Sequence, residues 1–114
     1  LRHLIYGILL FTLGQSLVWF QTNGQFVWPW VKKNTFLVAL FGGFIISYIF
    51  ITATREVVIY YEGALWPGRF IGFATGMIAF SALTYIFMSE GINSKTLVSL
   101  GLAVALILVQ LFWK

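Results

Sequence analysis

Few residues in this 114-residue chain carry groups that could do chemistry, and they are of three kinds. The first is a primary amide, Gln15, set in an otherwise apolar run with Ser16 and Trp19 close behind it. An amide in hydrocarbon needs hydrogen-bond partners that its own helix cannot fully supply. Gln15 therefore faces either another helix, as interhelical glue, or a wet cavity, where it would meet a ligand together with Ser16 and Trp19. The second kind is the carboxylates Glu56, Glu62 and Glu90. Glu56 and Glu62 flank a connector beside Arg55 and Arg69, and interfacial ion pairing is the simplest use for them. A competing use is a vestibule, in which Thr54 to Glu62 extends the second helix and Glu56 or Glu62, beside Tyr60 and Tyr61, meets a cationic or hydroxylated ligand. Glu90 sits in a polar turn and stays solvated. The third kind is a stripe of small residues, Gly68, Gly72 and Gly76, spaced four apart on one helix face so that another backbone can approach closely. The stripe serves packing inside one protomer, a dimer interface, or the side of a substrate path.

Other chemistries find no footing. The chain contains no Cys, so thiol nucleophiles, disulfides and Cys-based zinc sites are excluded. The lone His3 has no second ligand group in view, so no metal and no cofactor is expected. No Ser-His-Asp set, phosphate loop or intramembrane carboxylate pair can be assembled, and an enzyme is not expected. The formal charge of +4 includes no basic run beyond Lys32-Lys33, which argues against a nucleic-acid partner.

The elements that must position these groups follow from composition. Apolar residues make up 61% of the chain and charged residues only 9%, against about 25% charged in an ordinary soluble domain. Such a chain cannot cover itself with polar groups in water, so an integral membrane protein is expected, with the bilayer as its first partner. Four runs free of Asp, Glu, Lys and Arg are visible, at about 4–20, 35–54, 70–88 and 97–113. Each approaches the roughly 20 apolar residues needed to cross a bilayer. Their unbroken apolar character predicts helices, not the alternating strands of a barrel. The expected fold is all-α, a single polytopic domain over 1–114 with four transmembrane helices. The first span lacks the small-residue pattern of a cleaved signal peptide.

The connectors carry interface chemistry. Trp28-Pro29-Trp30, Tyr60, Tyr61, Trp66 and Trp113 are amphiphilic aromatics suited to the headgroup level. Asn34 is a candidate N-cap for the second span, and Asn93 or Ser94 for the fourth. Four spans place Arg2, Arg55, Arg69 and Lys114 on one side of the membrane and Lys32, Lys33 and Lys95 on the other. This near balance gives almost no orienting bias and allows insertion in both orientations, hence an antiparallel homodimer.

Leu17-Val18-Trp19-Phe20 leading to Val27-Trp28-Pro29, with Gly14 before it, resembles the end of the first helix of the small multidrug resistance proteins and their entry to the second. Gly76 to Tyr85, then Phe87-Met88-Ser89-Glu90-Gly91-Ile92 and a final Gly/Ala-containing helix, is similar to the rest of that family and of the wider drug/metabolite transporter superfamily. The resemblance implies a four-helix transporter, dimeric, of the bacterial inner membrane. It also implies a substrate-binding glutamate midway along the first helix, and here Phe11 stands at that place. Proton-coupled export of cations therefore does not carry over. A neutral pocket around Gln15, Ser16 and Trp19 would instead suit a small or amphiphilic solute, including lipid-linked ones handled by superfamily members that lack the acid. The rival expectation is an accessory transmembrane subunit of a larger complex, with the glycine stripe as its docking seam.

Overall fold

The computed structural model describes residues 1–113 and, within them, contains helices and connecting turns with no strand. The first helix, α1, runs Arg2–Asn23 and closes in a single 3₁₀ turn, Gly24–Phe26. Pro29 opens the short α2 (Pro29–Lys33), where its missing N–H costs nothing. The second crossing is composite: one turn of α3 (Thr35–Leu37), a π-helical segment Val38–Gly42, and then α4 (Gly43–Tyr60). A short connector leads to α5 (Trp66–Met88), and residues 89–93 lead to α6 (Ser94–Phe112). Four helical stretches are long and apolar enough to cross a membrane: Arg2–Phe26, Thr35–Tyr60, Trp66–Met88 and Ser94–Phe112.

Each helix outruns its apolar run at one end or both, although the fourth stops at Phe112, one residue short of the expected 113. Arg2, His3, Arg55 and Glu56 all lie within helical residues, because a charge ends the hydrocarbon-compatible stretch without ending the hydrogen-bond ladder. The caps are mixed. Asn93 accepts a hydrogen bond from the Thr96 N–H at 2.8 Å and caps α6. Asn34 stands at the N-cap position of α3 without a side-chain capping bond; its amide donates to the Trp30 carbonyl at 2.7 Å, back toward the preceding turn.

Helix α1 is the central post. Both α4 and α5 pack along it, while α4 and α5 make few contacts with each other, and α6 docks on α5. Glycines set the approach. A Cβ at Gly7 would stand 2.6 Å from Val57 Cγ2, and one at Gly14 would stand 2.5 Å from Phe50 Cε1, so α4 lies against the bare backbone of α1. The paired positions (Gly7 with Val57, Gly14 with Phe50, Gly42 with Gln21) run antiparallel, and those of α5 (Gly72 with Phe11, Gly76 with Gln15) run parallel to α1. Arg2, Arg55 and Arg69 thus share one end of the molecule, and Lys32 and Lys33 the other; Lys114 lies outside the described residues.

The buried core is small, formed by Phe11, Ala53, Val57 and Ile71 with Leu111 of α6 at its edge. Large apolar side chains such as Phe44, Tyr48, Ile78 and Leu102 face outward. That is the inverse of a soluble fold. In lipid, packing and interhelical hydrogen bonds hold helices together, with little gain from burying apolar surface. The molecule is flat, with extents of 47 × 36 × 18 Å.

Candidate functional site: a groove between α4 and α5

Because α4 and α5 lean on α1 without closing on each other, a groove of about 840 Å³ opens between them with α1 as its floor. Its size falls within the roughly 300–1,000 Å³ of small-molecule sites. Phe11 and Gln15 form the floor, Phe50 and Thr54 come from α4, and Arg69, Phe73, Met77 and Phe80 form the α5 wall. Trp66 and Leu65 stand at the end where α5 begins, and both are exposed.

Gln15 joins the two roles its chemistry allowed. Its Nε2 donates to the Gly72 carbonyl at 3.0 Å, bridging α1 and α5. The same side chain lines the groove, half-buried, with a second amide hydrogen and a carbonyl oxygen beyond that bond. The glycine stripe makes this possible. A Cβ at Gly76 would stand 3.0 Å from both Cδ and Oε1 of Gln15, and one at Gly72 would stand 3.3 Å from Phe11 Cε1. Gly68 faces Val57, with 3.6 Å between the place of a Cβ and Val57 Cγ1. All three glycines therefore face α1 and α4 of the same protomer, and all three also border the groove.

The remaining sequence candidates lie elsewhere. Ser16 Oγ donates to the Thr12 carbonyl one turn back on its own helix, 2.8 Å away. Trp19 is 2% exposed, its Nε1 donating to Thr84 Oγ1 at 2.9 Å. Its ring packs with Phe20 and Phe87, and Trp28 stacks on the same pair. This aromatic cluster ties the ends of α1 and α5 to the turn before α2. Tyr60 packs edge-on against Tyr61 at the end of α4. Burial, aided by the neighbouring Tyr60, pushes the Tyr61 phenol above its ordinary value, so it remains a proton donor. Glu62 occupies a left-handed backbone position, φ 55°, beside Gly63 at φ 96° in the connector. None of Ser16, Trp19, Tyr60 and Glu62 lines the groove.

Among the acids, the Glu56 carboxylate is hydrogen-bonded to His3 Nδ1, joining the start of α1 to the end of α4, the one carboxylate pairing with a basic side chain among the described residues. No cluster of three or more His, Cys, Asp or Glu that could hold a metal occurs among those residues. A second cavity of about 430 Å³ lies on the other face of α1, between Leu17, Phe20 and Gln21 and the segment from Trp28 to Ile46. It holds no charged group, whereas the α4–α5 groove combines a cation, an amide and aromatic walls.

Sequence reasoning missed Arg69 and the face Arg69, Phe73, Met77 and Phe80. These positions recur every three or four residues on one side of α5, a spacing visible in the sequence, but nothing in that spacing distinguishes a groove wall from a lipid-facing side. Comparison with family models, with curated proteins and with solved structures finds no match for this chain.

Proposed function

We propose that this chain is a small transporter-like protein of the bacterial inner membrane that works as a homodimer and moves or binds a small or amphiphilic solute by alternating access. The observation that carries the proposal is the groove between α4 and α5, open along its side, with the Gln15 amide on its floor. Two further features support it. At 18 Å the protomer is thin for enclosing a path alone, and a second copy inserted antiparallel would supply the facing wall. The likeness of the first helix and the Trp28-Pro29 turn to small multidrug resistance proteins points the same way, with Phe11 in place of the acid.

The test is transbilayer movement of fluorescent phospholipid and uncharged amphiphile analogues in vesicles reconstituted with the purified protein. Acceleration over protein-free vesicles is expected, with at least a several-fold loss in Gln15→Leu. A cysteine at Leu102, which is 65% exposed on α6, reports the second copy by self-crosslinking. No acceleration with either analogue overturns the transport reading. The second reading, an accessory subunit of a larger membrane complex, is favoured by α6, which is attached almost wholly through α5 and leaves most of its surface free. Crosslinks from Leu102→Cys to a different protein alone would establish it.

A further inference from the structure

The α4–α5 groove is chemically asymmetric along its length. At one end stands Arg69, exposed and without a carboxylate partner among the described residues, where the only carboxylate paired with a basic side chain is Glu56, with His3. Trp66 beside it is a residue of the headgroup level. From Arg69 the wall continues through Phe73, Met77 and Phe80, all apolar, and the helix rises about 16 Å over that distance. Half of a hydrocarbon core of roughly 30 Å is the same depth, so the groove runs through one leaflet. Between the two ends lies Gln15, level with Gly72 and Gly76, offering the amide hydrogen that its bond to Gly72 leaves unused.

These features select an occupant. A cation would meet the unpaired guanidinium, a polar solute would find one amide along an aromatic wall, and a plain hydrocarbon would use neither polar group. We infer that the groove seats an acidic diacyl phospholipid, its phosphate on Arg69, its ester carbonyls level with Gln15 and one acyl chain along Phe73, Met77 and Phe80. A guanidinium binds a phosphate through two parallel hydrogen bonds, which a lysine cannot reproduce. At this end of the molecule Arg2, Arg55 and Arg69 outnumber Glu56 and Glu62, which leaves the field net positive. The inference rests on reading the groove as the ligand site and names the class of ligand.

The experiment is native mass spectrometry of the purified full chain in detergent, offered equal amounts of phosphatidylglycerol and phosphatidylcholine with identical chains. Wild-type protein is expected to retain phosphatidylglycerol in preference, and Arg69→Gln to lose that preference about tenfold. Arg69→Lys should keep part of it. Thr54→Trp, which fills the groove from an exposed position on α4, should lower retention of both lipids. Undiminished preference in Arg69→Gln, or full retention in Thr54→Trp, overturns the assignment. A single-chain polyprenyl phosphate that displaces phosphatidylglycerol in competition overturns its diacyl part. Retention is read without any flux. A protein that holds the lipid and moves nothing therefore defeats the transport reading alone, and one that moves solute without lipid preference defeats this inference alone.

Discussion

A buried indole in a membrane helix has no water to fall back on, and the Trp19–Thr84 hydrogen bond is where this chain is most exposed to that penalty. Replacing Thr84 by Val strands the N–H in a site that is 2% exposed and should cost about 1–3 kcal/mol. Trp19→Phe should cost less through the hydrogen bond, because a freed Thr84 hydroxyl can return to a carbonyl of its own helix. The double variant is then expected to be less destabilised than the sum of the two, by about 1 kcal/mol, in thermal unfolding of detergent-solubilised protein. Strict additivity would mean that the bond contributes nothing. At this scale the sequence was partly legible. Gln15 had to find a partner outside its own helix, and it did. Trp19 looked equally available for a ligand, and nothing local shows that its partner lies 65 residues on.

The second crossing is where a helix departs from uniformity. A π-helical segment fills Val38–Gly42, and Gly42 and Gly43 face Gln21 of α1. A π turn holds one residue more than an α turn, so deletion of one residue there can be absorbed by reverting to an α turn. Deleting Ala39 should therefore leave the register of α4 on α1 intact, with a thermal midpoint close to the parent. Deleting Ile49 should rotate everything on one side of the cut by about 100°, pull Val57 or Gly42 off α1, and abolish folding. Equal damage from both deletions would refute this account of the segment. Hydropathy located all four crossings, since continuous apolar runs have no other home. It could not place their ends, because Arg55 and Glu56 at the end of the second crossing continue the ladder into the interface. Neither could it show the π segment Val38–Gly42, because an apolar run has the same hydropathy whether it winds as α or π turns.

For the molecule as a whole, flatness and charge balance belong together. Arg2, Arg55 and Arg69 lie at one end and Lys32, Lys33 and Lys95 at the end reached by the opposite turns, and with Lys114 the sequence carries four against three. Insertion in both orientations is expected, read by paired reporters at the C-terminus that are active on opposite sides of the membrane. One or two added charges should then decide the outcome. Gln25→Lys together with Gly91→Lys should move the C-terminal reporter to the outside, and Ala64→Lys should hold it inside. A parent with one fixed orientation that ignores both changes ends the antiparallel dimer. The existence of four helices could be read from composition, but their arrangement could not. That α1 stands between α4 and α5, and that a groove is left over, depends on which glycines meet which side chains, and many arrangements of four apolar helices satisfy the same hydropathy.

The open side of the groove also decides how binding to it must be counted. A ligand that enters between α4 and α5 arrives from the surrounding amphiphile phase and not from the aqueous one. Its effective concentration is then a mole fraction in a two-dimensional solvent. Doubling the detergent at constant lipid dilutes it, although its molarity in the tube is unchanged. Occupancy of this site should thus collapse onto one curve when plotted against lipid-to-detergent ratio, and scatter when plotted against total lipid.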